Sequence, residues 1–174
     1  MGGGISIAAH QKGRAVDANN ALDGEGPFSP ERAGSLPAAD LIRLCFSGKY
    51  SEKQLLKRIA GKAGLNAHLG TNDVREIIHR IEDYDDQHAR LILDAMIYHV
   101  AKNIAAEAAV LCGEIDAILL TGGLARSEYV VSRLRKRIDF LAPVFCFPGE
   151  DEMEALALNA LAVLRGKREV KEYR

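Results

Sequence analysis

Residues 114–134, EIDAILLTGGLARSEYVVSRL, constrain the fold more than any other stretch: they read as a buried strand, a paired-glycine turn and an amphipathic helix. Ile118, Leu119 and Leu120 form an apolar run with no polar alternation, the pattern of a strand covered on both faces of an α/β sheet. Gly122 and Gly123 carry no Cβ, so a ligand can come close to the backbone where the chain leaves the carboxyl end of that strand. Ser127 is placed to cap a helix whose apolar positions Val130, Val131, Leu134 and Ile138 fall at helical spacing. This is the architecture of nucleotide-binding sheets. Two glycines taken alone are better explained by an ordinary tight strand-to-helix turn. The rest of the chain decides.

The flanking sequence predicts a mixed α/β layout. Gly4 to Asn19 alternates and turns at Lys12-Gly13, which predicts a hairpin with strands over 5–10 and 14–19. Residues 21–37 are rich in Gly, Pro, Ser and acidic side chains and read as a long loop, a feature that in a compact domain is usually functional or disordered. Helices are predicted over 38–46, 52–60, 73–82 and 86–111. The last is the spine, with Leu91, Ile92, Ala95, Met96, Ile104, Ala105, Ala108 and Leu111 along its expected buried stripe. A strand over 117–121, a helix over 127–138, a strand over 142–147 and a helix over 151–164 complete the order, with the two strands parallel and joined by a right-handed crossover.

Composition narrows the function classes. The 174 residues are 48% hydrophobic and 27% charged, enough for one domain or one large lobe with a real core. A formal net charge of −1 argues against a commitment to nucleic acid, and no apolar run approaches a membrane span. Met1 is followed at once by three glycines rather than by a signal sequence, so a cytoplasmic location is the expectation. Cys45, Cys112 and Cys146 lie far apart without a C-x-x-C pair, and the five histidines form no ligand motif. Asp83, Asp85 and Asp86 lack the glycine and terminal glutamate of a calcium loop and read as a solvated acidic turn.

Gly2, Gly3 and Gly4 directly precede a strand, a second place where backbone amides can converge on phosphate oxygens; taken alone, the run is equally a flexible start. In context, GGGISIAAHQKGRAVD resembles the second signature of the acetate and butyrate kinase family, with Gly2, Gly4, Ser6, Ile7, Ala9 and Gly13 in register and Met1 in the aliphatic slot. The family's signature histidine would lie one residue before Met1. The resemblance continues through NNALDGEGPFSPERAG, LIRLCFSGKY, LGTNDVREI, DAILLTGGLARS and FPGEDEMEALA, with the butyrate kinase branch fitting best. It covers what is the carboxyl-terminal half of such an enzyme, so the first lobe with its Gly-Ser-Thr phosphate loop is expected to be absent.

The resemblance implies a fold and a set of roles. The fold is α/β, an actin-like ATPase (ribonuclease H-like) lobe with a mixed sheet, an amino-terminal β-hairpin and flanking helices. Gly2, Gly3 and Gly4 match the phosphate-contacting glycines, and Arg32 matches an arginine that steadies the transferring phosphoryl group. Phosphoryl transfer demands positioning and charge neutralisation, for which a guanidinium fork is suited. Without the family, Arg32 reads as a surface salt bridge. Asp73 and Arg75 match an element near the adenosine, and Gly123, Leu124, Ala125, Arg126 and Ser127 match the adenine and ribose loop, with Gly122 before them also expected to be cofactor-binding, although the acetate kinase branch has a further glycine where Ala125 stands. Glu152 matches a carboxylate near the metal, with Asp151 or Glu150 as alternatives, and an acidic first turn of a helix is the plain structural reading of all three.

The implied activity is butyrate kinase-like: reversible phosphoryl transfer between ATP and a short-chain carboxylate, giving an acyl phosphate and ADP, with Mg²⁺ as cofactor. The alternative is a catalytically inactive or split-enzyme lobe that binds adenine nucleotide or a partner lobe without turnover. A cleft enzyme missing one wall loses the advantage of holding both substrates, worth roughly 7 to 11 kcal/mol in well-oriented cases. Expected partners are the carboxylate or acyl phosphate, an amino-terminal lobe or a second copy of the chain, and neither nucleic acid nor a membrane.

Overall fold

Lys12 and Gly13 both adopt positive φ, 51° and 76°, which is the backbone of a two-residue hairpin turn matched to strand twist. They join β1 (Ala8–Gln11) to β2 (Arg14–Ala18), antiparallel with a bulge between Ala9 and His10. The computed structural model describes residues 1–149 and 152–170, the side chain of residue 152 excepted. The following loop is ordered by its own hydrogen bonds: the Ser29 N–H donates to the Arg32 carbonyl at 3.0 Å and the Ser35 N–H to the Gly26 carbonyl at 2.9 Å.

Helices then follow in series: α1 (Ala38–Cys45), α2 (Glu52–Ile59), α3 (Gly64–Leu69), α4 (Val74–Asp83) and α5 (Gln87–Val110). Their starts are explained by capping. Ser51 and Gln54 form a reciprocal capping box on α2, while the carboxylates of Asp73 and Asp86 accept first-turn amides of α4 and α5. The six-residue α3 is absent from the sequence reading. It begins at a glycine with φ of 58° and has no side-chain cap, so it lacks both of the usual starting signals.

β3 (Ile118–Thr121) leads through a 3-10 turn (Gly123–Arg126) into α6 (Glu128–Ile138), then β4 (Val144–Phe147) and α7 (Glu152–Leu164). β3 and β4 pair in parallel, Ile118 opposite Val144. The mixed α/β layout holds, with the strands hydrogen-bonded as two separate two-stranded ladders.

The core is made by α4, α5 and α6 against β3. Ile77, Leu93, Leu134 and Ile138 are completely buried, joined by Leu120 of β3, Val144 of β4 and Ile5 from the segment before β1. Two expectations are corrected here. The buried stripe of α5 is Ala89, Leu93, Met96, Ile97, Val100, Ala101 and Ala108, whereas Leu91 and Ala105 are exposed; the helix is rotated so that its α4- and α6-facing side takes the burial. β3 is also covered on one face only. Leu120 turns inward, but Leu119 is 61% exposed, and Phe145 and Phe147 on β4 are exposed beside it, because no helix among the described residues lies on that face.

Candidate functional site

Met1 to Gly4 is threaded between the paired-glycine turn and the loop before α1. The Met1 amine donates to the Thr121 carbonyl at 2.6 Å, and the Leu124 N–H returns a bond to the Met1 carbonyl at 3.0 Å. Gly122 has φ of 83°, and a Cβ there would lie 2.5 Å from the Met1 carbonyl oxygen, so this position requires glycine on both conformational and steric grounds. On the other side, the Gly3 carbonyl accepts from the Ser29 hydroxyl at 2.7 Å and from the Glu31 N–H at 3.0 Å. Ser29 is fully buried, and its hydroxyl also accepts the Arg32 N–H at 3.1 Å.

A cleft of about 670 Å³ opens beside this junction, within the usual size of a small-molecule site. Of the residues singled out from sequence, Gly2, Gly3, Asp73, Arg75, Gly123, Leu124, Arg126 and Ser127 line it. Gly122 and Ala125 are buried beneath its wall. Gly4 and Arg32 stand just outside the lining, and the Arg32 guanidinium occupies the space that a Cβ on Gly4 would take. Glu152 opens α7, but its side chain, with Glu150 and Asp151, lies outside the described residues.

Several donors at the cleft have no partner among the described residues, beside acceptors such as the Glu31 carboxylate. The Gly2 N–H is spent on the Gly4 carbonyl at 3.0 Å, whereas the N–H groups of Gly3, Gly4 and Gly123 have no partner among the described residues. The guanidinium groups of Arg32 and Arg126 are likewise unpaired among the described residues, and no salt bridge to Arg32 is formed among those residues. Arg75 is instead committed to Asp73, with Nη2 to Oδ2 at 2.8 Å and Nε to Oδ1 at 3.1 Å. That ion pair, together with the Arg75 N–H, holds the Asp73 carboxyl down at about 2. Unpaired backbone amides and two unpaired cations suit an anion bearing several phosphate oxygens.

Sequence reasoning missed Glu31 and Asn72, which meet across the cleft floor with the Asn72 amide donating to the Glu31 carboxylate at 2.6 Å. Both belong to segments already singled out, PERAG and LGTNDVREI, but 41 residues separate them. Among the described residues, no group of three or more His, Cys, Asp or Glu side chains could hold a metal by itself. A magnesium ion held chiefly by phosphate oxygens and one or two carboxylates needs no such cage.

The acetokinase family profile matches residues 1–143. The whole chain is 64% identical to a protein from Bacteroides thetaiotaomicron described as a probable butyrate kinase, and 55% identical to one so described from Phocaeicola vulgatus. It is 51% identical to butyrate kinase 2 of Clostridium acetobutylicum. The chain covers 49% of each of these proteins, so it spans about half the length of the relatives it matches. Porphyromonas gingivalis acetate kinase superposes on 94% of the chain with a TM-score of 0.82 at 22% identity, using 47% of its own length. Entamoeba histolytica acetate kinase gives a TM-score of 0.78 over 91% of the chain and 49% of its own. The fold is thus the actin-like ATPase fold of these kinases, and with the profile covering most of its residues the chain belongs to the acetokinase family.

Proposed function

We propose that the chain is the nucleotide-binding, carboxyl-terminal lobe of a butyrate kinase-like phosphotransferase of the cytoplasm. The observation that carries this reading is the donor-rich cleft, where Gly3, Gly123 and Arg126 gather with Gly4 and Arg32 alongside. These residues fit an adenine nucleotide: the glycine N–H groups would hold phosphate oxygens, while residues 123–127 would flank the adenine and ribose. Bound ATP with Mg²⁺ supplies the transferable phosphoryl group.

In the reaction, a carboxylate oxygen of butyrate attacks the γ-phosphorus as the bond to the ADP oxygen breaks, so that butyryl phosphate and ADP leave. Arg32 neutralises charge spread over the transferring group, and its backbone is fixed for that task by the buried Ser29 hydroxyl. Glu152 is assigned to the metal. Closure of a second lobe over the cleft would exclude water, and the chain alone leaves that side open.

A second reading is favoured by the length relation: a unit spanning 49% of its relatives' length binds adenine nucleotide or a partner lobe without turnover by itself. The test is Mg²⁺-ATP-dependent butyryl phosphate formation, trapped with hydroxylamine, by the chain alone and after addition of the other half of the Bacteroides relative. ATP binding by the chain alone, with turnover only after complementation, is the expected result. In the complemented assembly Arg32→Ala should abolish turnover while leaving ATP affinity within about threefold. Retention of full turnover would remove Arg32 from its role, and absence of ATP binding in both forms would sink the reading of the cleft.

A further inference from the structure

Two carboxylates line the cleft beside the triglycine, those of Asp73 and Glu31. They are held in opposite ways. Asp73 meets the Arg75 guanidinium through both of its oxygens, which offsets its charge. Glu31 takes a neutral donor instead: Oε1 accepts the Asn72 amide at 2.6 Å, and Oε2 has no partner among the described residues. A neutral amide fixes the orientation of a carboxylate and leaves its charge in place.

The backbone of Glu31 is tied on both sides. Its N–H donates to the Gly3 carbonyl at 3.0 Å, and its own carbonyl accepts the N–H groups of Gly61 at 2.8 Å and Ala63 at 3.3 Å. From there the side chain lies against the triglycine: a Cβ added to Gly3 would stand 3.1 Å from both Cδ and Oε2 of Glu31. A negative charge thus sits beside Gly3, whose unpartnered N–H is one of the groups assigned to phosphate oxygens. For a bare polyphosphate that contact is repulsive at close range, a feature that a site built only to attract anions would lack. Chelation of a divalent cation removes two negative charges from the nucleotide and offers a carboxylate the ion or its water ligands as partners.

We propose that Glu31 makes nucleotide binding in this cleft metal-dependent, accepting the chelated nucleotide and rejecting the free polyphosphate anion. The inference rests on the assignment of the cleft to adenine nucleotide. It gives the Glu31–Asn72 contact, which joins positions 41 residues apart, a task of its own: holding an uncompensated carboxylate at the phosphate-binding glycines. The task differs from that of Glu152. Glu152 is assigned to hold the metal, whereas Glu31 penalises nucleotide that arrives without one.

The probe is ADP, titrated calorimetrically into the whole chain at matched ionic strength, once with excess Mg²⁺ and once with EDTA. The quantity read is the ratio of the two Kd values. Glu31→Gln keeps the side-chain length and an acceptor oxygen for Asn72 but removes the charge. It should tighten metal-free ADP binding by at least about fivefold and shrink the Mg²⁺ ratio by a similar factor. Glu31→Asp keeps the charge, and its metal-free affinity should stay within about twofold of the native chain. An unchanged ratio in Glu31→Gln would overturn the inference. So would equal weakening of both forms of ADP, which is what a merely structural role predicts. Absence of ADP binding by the native chain in either medium is a separate failure: it would sink the assignment of the cleft itself, and this inference with it.

Discussion

Helices α5 and α7 are both rich in Ala and Leu, yet they meet opposite fates. Leu93 of α5 is completely buried among α4, α6 and β3, whereas Leu156 of α7 is 65% exposed and Met153 and Leu164 more so. Apolar character is a demand for a partner surface, not a statement that one is present. α5 finds its partners within the described residues. α7 does not find them there, and the outer face of β3 and β4, with Leu119, Phe145 and Phe147, is equally uncovered. Both belong to a chain that spans half the length of its relatives.

The largest test of this contrast is a pair of truncations of the same chemistry. Leu93→Ala should cost about 2–5 kcal/mol in chemical denaturation, since it empties a closed core site. Leu156→Ala should fall within about 0.5 kcal/mol. Equal losses would show that α7 packs as α5 does. A cruder version removes residues 152–174 altogether: the melting temperature is expected to fall by less than about 2 °C, and a fall like that of Leu93→Ala would erase the distinction.

A smaller effect is expected at the edge of the α5 core. Ser127 caps α6 through the Val130 N–H at 3.3 Å, so Ser127→Ala should cost about 1 kcal/mol, or roughly 2–4 °C in melting temperature. The smallest concerns α4, whose Asp73 cap is held to about 2 by Arg75. Because the folded value is depressed, this contribution is complete above the ordinary value of 3.8 and is lost as pH falls toward 2. Arg75→Ala should move the Asp73 titration, followed by carboxyl-carbon NMR, upward toward 3.8. An unmoved titration would leave the backbone amide as its sole cause.

Much of the local structure was legible because its causes are local. The Lys12-Gly13 turn, the starts of α2, α4 and α5, the cap at Ser127 and the strand before Gly122 each depend on residues within a few positions of one another. α3 escaped because its start is set by the close approach of Gly64 to the Ser29 carbonyl, a contact 35 positions away in sequence. The site was legible in pieces: the glycine runs and the NDVR segment could be marked. Their convergence could not, nor could the Glu31–Asn72 contact or the position of Arg32 against Gly4.

What the sequence determined by itself is the set of elements apart from α3, their order and the family, since periodicity, capping and turn chemistry act over short range and the motif segments recur in fixed order. The tertiary structure alone decided which apolar surfaces are covered, that the strands form two ladders with a trough between them, and that Gly3, Asp73 and Gly123 share one cleft. These depend on contacts between residues as far apart as Met1 and Thr121, whose pairing no local pattern encodes.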